Sequence, residues 1–263
     1  LASLERHEEA LAKYQRAVEL EPKDPIAFKY FGLSLATLNR HDEAISKFET
    51  SLSLNAKDAV TLKNAAFSYD ALANVPQAIE KYEKAIELEP QDHILFKNAG
   101  NCYLKESKYK EAIDKYQKAI ELQPQDAESI RNFGLCLAKL NKYADSLEKY
   151  RTAAGINSKD AITFANWGIA LTKLGNYLES TEKYEKAFMI DPYFKQSDVF
   201  SNWAYSLAAI GQHEQALDKF RTATELEPDK AENYLNWGLS LHKANHHSDA
   251  VEKLKMAIEF DPK

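Results

Sequence analysis

The sequence predicts an all-α fold, a right-handed superhelical solenoid of stacked helix–turn–helix repeats that runs through residues 1–263 as one array. Three observations predict it. Pro22, Pro90, Pro124, Pro192, Pro228 and Pro262 recur at multiples of 34 residues, apart from one step of 36, and Ala56 and Ser158 fill the vacant positions. The segments that end at these prolines read KYQRAVELEP, KYEKAIELEP, KYQKAIELQP, KYEKAFMIDP and KFRTATELEP, so residue type repeats along with spacing. Each unit also carries two apolar patterns of helical period, such as Phe96, Ala99, Gly100 and Tyr103 followed by Ala112, Ile113, Tyr116, Ala119 and Ile120.

Taken in order, residues 1–22 form half a unit. Full repeats then occupy 25–58, 59–92, 93–126, 127–160, 161–194, 197–230 and 231–263. Each first helix is expected to start behind an aspartate, at Asp24, Asp58, Asp92, Asp126 and Asp160, because a carboxylate accepts the unpaired N–H groups of the first turn. The proline shortly before stops the preceding helix. Asn39, Asn141, Gly175, Gly211 and Asn245 mark the turns between paired helices, where a left-handed backbone is needed. The 36-residue step places a two-residue insertion within Tyr193–Gln196, which is expected to alter the stacking there.

Small residues recur at the eighth position of the repeat (Gly32, Ala66, Gly100, Gly134, Gly168, Ala204, Gly238), and an aromatic at the twenty-fourth is expected to fill the space they leave. Together with the alanines of the second helix, these residues make the chain resemble the tetratricopeptide repeat family along essentially its whole length. The resemblance implies a concave inner face lined by positions two, five, six, nine, twelve and thirteen of each first helix, and a protein partner bound on it.

Position six is asparagine in six successive repeats, at Asn64, Asn98, Asn132, Asn166, Asn202 and Asn236, with Tyr30 in the first. Asparagine is a weak helix former, so its recurrence at one phase asks for a function. A carboxamide both donates and accepts, and a row of them can hold the backbone of an extended peptide. The pattern resembles the asparagine ladder in tetratricopeptide segments of protein O-glycosyltransferases. Lys63, Lys97 and Arg131 at position five flank the row, as do Lys105, Lys139, Lys173 and Lys243 at position thirteen, and this cationic strip suggests an acidic peptide. Lys97, Asn101 and Asn132 match part of the carboxylate clamp of chaperone-binding relatives. Ile162 and Asn166 stand where its further basic pair belongs, so that mode is not expected.

Trp167, Trp203 and Trp237 at position seven are read as packing residues. His242, His246 and His247 straddle a turn without a defined ligand set, and His7, His41, His213 and His247 share position seventeen, so no metal or cofactor is expected. Neither a phosphate loop, a nucleophile elbow nor a zinc-protease helix occurs, which argues against an enzyme. The net charge of −6 disfavours nucleic acid and anionic membranes as partners. Cys102 and Cys136 sit at equivalent repeat positions, read as small apolar packing residues more than a disulfide framework; that fits a reducing compartment, and the expected location is cytoplasmic.

The expected function is therefore a scaffold that binds an extended, acidic protein segment in its groove. Alternatives are the substrate-recruiting arm of a larger enzyme such as a protein glycosyltransferase, and an assembly protein that self-associates. The chain reads as a fragment of a longer array, and Val251, Leu254, Ala257 and Ile258 are expected to leave apolar surface uncovered at its end.

Overall fold

The computed structural model describes residues 2–261, with side chains from Glu8 onward; Pro262 and the side chain of His7 lie outside this range. Among the described residues there are fifteen α-helices and no strand. The half unit is α1 (Ala2–Leu20). Repeat pairs follow as α2 (Pro25–Thr37) with α3 (His41–Leu54), α4 (Ala59–Ala71) with α5 (Val75–Leu88), and α6 (His93–Lys105) with α7 (Tyr109–Leu122). Then come α8 (Ala127–Lys139) with α9 (Tyr143–Ile156), and α10 (Ala161–Lys173) with α11 (Tyr177–Ile190). The last are α12 (Ser197–Ala209) with α13 (His213–Leu226), and α14 (Ala231–Lys243) with α15 (His247–Phe260). The helices group into two compact units, one up to Ser129 and the other from Ile130. Within each unit helices adjacent in sequence pack on one another, as α2 with α3 and α10 with α11, and first helices of successive repeats also meet, as α2 with α4 and α10 with α12.

Helix starts follow from the aspartates. Asp24 accepts from Ile26 N at 2.8 Å, Asp58 from Val60 N and Thr61 N, Asp92 from Ile94 N at 2.9 Å, and Asp160 from Ile162 N at 3.2 Å. Asp126 accepts from the Ser129 hydroxyl at 2.8 Å and, more weakly, from Ser129 N at 3.5 Å. The inter-helix turns use positive φ at Asn39, Asn141, Gly175, Gly211 and Asn245, and also at Ala73 (φ 57°) and Ser107 (φ 56°), which carry neither a glycine nor an asparagine. At those two positions the geometry of the hairpin overrides an unfavourable local preference.

The core repeats with the sequence. A Cβ on Gly32 would lie 2.6 Å from the Phe48 ring, and one on Gly100, Gly134 or Gly168 would lie 2.8, 2.9 or 2.6 Å from Tyr116, Tyr150 or Tyr184. The small residue therefore lets the ring of the second helix lie against the first helix's backbone, and those rings are fully buried. Cys102 and Cys136 are buried thiols, pushed up to about 12 by burial, an effect that Asp70 adds to at Cys102.

Position seven decides what the lysine at position twenty-three does. Where it is aromatic, the ammonium sits over the ring: Lys47 over Phe31, Lys149 over Phe133, Lys183 over Trp167, Lys219 over Trp203 and Lys253 over Trp237, at 4.6 to 5.0 Å. Where it is Ala65 or Ala99, the lysine reaches into the preceding repeat. Lys81 pairs with Glu49 at 2.7 Å and Lys115 with Glu83 at 2.6 Å, and Tyr69 and Tyr103 donate to the same carboxylates. Burial, followed by the hydrogen bond to the glutamate, pushes both of these phenols up to about 12. Trp167 and Trp203 are buried and Trp237 half-buried.

The two inserted residues lengthen the connection between α11 and α12. Phe194 folds back into the core, with its ring 6.0 Å from that of Phe188, which also contacts Phe200 and Trp203. Tyr193 beside it is exposed. The insertion is thus an added plug of core rather than a loose loop.

Candidate functional site

Position five has a structural partner. Lys29 pairs with Asp58 at 2.9 Å, Lys63 with Asp92 at 2.7 Å, Lys97 with Asp126 at 3.6 Å and Arg131 with Asp160 at 2.8 Å. Lys97 also reaches Glu128 at 3.1 Å. Each cation therefore holds the aspartate that caps the first helix of the next repeat, a charge-assisted contact between repeats. Asp160 shows the balance: burial raises its pKa, but hydrogen bonds from Thr163 and Arg131 and the guanidinium charge outweigh burial and hold the carboxyl below its usual range.

Cation and aspartate are lost together. Position five becomes Ala165 and Ser201 in the fifth and sixth repeats, and the caps that follow are Gln196 and Lys230, neither of which makes a side-chain cap bond. At Lys230 the polarity is reversed, because this lysine pairs with Asp198 in the first turn of α12 and with Glu227. Lys63, Lys97 and Arg131 thus lie where the sequence puts them but are engaged by carboxylates of the chain itself, so their charge reaches a ligand only as part of these pairs.

The asparagines are placed differently from one another. Asn64 donates to Val60 O and Asn202 to Asp198 O, each at 2.7 Å and within its own helix. Asn98 lies beside the Tyr82 phenol and opposes the rise in its pKa that burial causes. Asn132 is buried and accepts from Arg131 Nε at 3.2 Å, while Asn236 donates weakly to Ser201 at 3.4 Å. Asn101 accepts from the Tyr116 hydroxyl at 2.7 Å. Asn166 is half-buried and makes no hydrogen bond among the described residues.

Asn166 lines a hollow of about 380 Å³ in the second unit. Leu135, Ala138, Ile162 and Ile169 give it apolar walls, and Asn202 lies alongside. Lys139 and Lys173, in the last turns of α8 and α10, stand at one end; Asp198 and Glu232, in the first turns of α12 and α14, stand at the other. Tyr150, fully buried, contributes to the floor. Asn166 and Asn202 are site residues by sequence, whereas Tyr150 belongs there to the core aromatics; the signal that sets it apart is Leu135 and Ala138 at positions nine and twelve, where other repeats place Asn101 or Thr172 to satisfy the phenol. Among the described residues no group of three His, Cys, Asp or Glu side chains gathers as a metal site, and no helix is long and apolar enough to cross a membrane.

Family models of the tetratricopeptide repeat match residues 94–126, 1–59 and 201–263, more than half of the sequence. The chain belongs to the tetratricopeptide repeat family. Repeats of this family mediate protein–protein interaction. No curated protein sequence matches the chain. Among solved structures, YrrB, described as a tetratricopeptide repeat protein with an unusual peptide-binding site, is 25% identical with a TM-score of 0.57, over 75% of this chain and 97% of YrrB. A chain of the APC/C hetero-tetramer Cut9–Hcn1 is 13% identical with a TM-score of 0.71; the match spans 98% of this chain and half of that one. PilF of Pseudomonas aeruginosa is 16% identical with a TM-score of 0.67, over 80% and 94% of the two chains. The last two are likenesses of fold.

Proposed function

We propose that this tetratricopeptide repeat chain is an interaction scaffold that holds an extended segment of a partner protein on the inner faces of its first helices. The observation that carries the reading is Asn166: a half-buried carboxamide in a hollow, with no hydrogen bond to the chain and therefore with its donor and acceptor both open to a peptide group. Asn64 and Asn202 keep their side-chain oxygens for the same use, since only their amide nitrogens are engaged. Asn98, Asn132 and Asn101 have duties inside the stack and contribute second. The peptide-binding site of YrrB, a protein of the same repeat type, supports the choice of a peptide as ligand.

Panning the full chain against a display library of random peptides tests this directly. Binders should lose affinity about tenfold on Asn166→Ala, the scale of one or two peptide-group hydrogen bonds, while helicity and melting temperature stay at their original values. A library without binders, or binders indifferent to this substitution, would remove the basis for the reading.

A further inference from the structure

The Tyr150 hydroxyl is buried and has no hydrogen-bond partner. Its counterparts are satisfied: Tyr116 donates to Asn101 at 2.7 Å, and Tyr184 shares a bond with Thr172 at 3.0 Å. In the fourth repeat the two positions that could serve are Leu135 and Ala138, and neither has a polar side chain. Burial raises the pKa of the phenol, so it stays protonated and remains a donor. A buried donor left without an acceptor is costly, and an acceptor brought by a ligand recovers that cost.

The same hollow holds two cations that no carboxylate pairs with. Lys139 and Lys173 are exposed and form no ion pair among the described residues, unlike Lys29, Lys63, Lys97 and Arg131. Asp198 at the far end is neutralised by Lys230, which leaves Glu232 as the hollow's one carboxylate without an ion pair there. The charges are thus sorted by end, with the open lysines where α8 and α10 finish. Leu135, Ile162 and Ile169 line the same hollow and offer a surface suited to methylene groups.

We infer that this hollow is an acidic-side-chain subsite, in which a glutamate of the bound segment lays its methylenes on Leu135, Ile162 and Ile169 and gives its carboxylate to Lys139, Lys173 and the Tyr150 hydroxyl. Glutamate suits it better than aspartate because its longer stem uses the apolar wall before the head reaches the lysines. The inference rests on the peptide-binding reading above and places the acidic preference at these three side chains rather than at the position-five cations.

The strongest peptide from the panning against the full chain serves as the probe, remade with its conserved acidic residue as Glu, Gln and Lys. A glutamate fixed at one position of the selected peptides is the expected result, with the Lys version failing to bind. The double substitution Lys139→Gln with Lys173→Gln should weaken the Glu peptide about tenfold or more and leave the Gln peptide within about twofold, and it should abolish the dependence of Glu-peptide affinity on salt. Tyr150→Phe should weaken the Glu peptide about threefold or more while the free chain melts no lower than before, because the hydroxyl has no internal bond to lose. Peptides that depend on Asn166 but carry no fixed acid, or a lysine double variant that weakens the Glu and Gln versions equally, would overturn the subsite and leave the peptide-binding reading standing. Absence of any binder would overturn both.

Discussion

The pairing of Arg131 with the cap aspartate of the next repeat lends itself to a double-mutant cycle. Arg131→Met keeps much of the apolar stem and removes the charge; Asp160→Asn keeps a capping side chain and removes the carboxylate. The two side chains are only 16% and 14% exposed and 2.8 Å apart. An exposed pair would contribute about 0–1 kcal/mol, and a hydrogen bond to a charged group about 1.5–3 kcal/mol; partial burial places this coupling at roughly 1.5 kcal/mol. Each single variant should therefore lose about 2 kcal/mol in urea titrations followed by circular dichroism, and the double variant hardly more than either. The pH dependence has a definite sign. Because the folded Asp160 carboxyl lies below its unfolded value of about 3.9, its contribution is complete above that pH and is lost as pH falls through the folded value. Asp160→Asn should flatten that acid limb, and in Arg131→Met the Asp160 titration followed by carboxyl NMR should move upward. Additive single effects, or an acid limb unchanged by Asp160→Asn, would refute the pairing as a source of stability.

Two further outcomes follow from the backbone. Gly168→Ala would put a methyl 2.6 Å from the Tyr184 ring, and differential scanning calorimetry should record a loss of about 1–3 kcal/mol, the range for overpacked cores. Ala73→Gly and Ser107→Gly should each raise stability by about 1 kcal/mol in chemical denaturation, because both residues hold a positive φ that glycine adopts without a Cβ clash.

The parts of this fold legible from the sequence were those set within one repeat. Asp24 or Asp160 announces a helix start because the cap bond closes over two residues, and Gly168 announces the Tyr184 ring because both recur at a fixed phase. Ala73 and Ser107 were missed as left-handed residues since their conformation is imposed by the hairpin and not by their own preference. The candidate site was less legible for a related reason. Position and residue type were enough to mark Lys63, Lys97, Arg131 and the asparagines, but a side chain's partner lies 29 residues on, and whether it is engaged or open depends on both ends of the pair. Asn166 and Asn64 look alike in sequence; only the first is left without a bond. Tyr150 was hidden because what sets it apart is a missing neighbour.

The joint disappearance of the position-five cation and the aspartate after it constrains how such a chain can be recombined. A segment that ends with lysine or arginine at that phase can be joined only to a successor beginning with an acid, and one ending like Ala165 only to a successor that asks for no counter-charge. Splicing the successor of Arg131 out and inserting the stretch that starts at Gln196 would leave a guanidinium stranded at the seam. Modules that look interchangeable by length and apolar pattern thus carry a rule of adjacency, which anyone building chimaeras from this chain would have to obey.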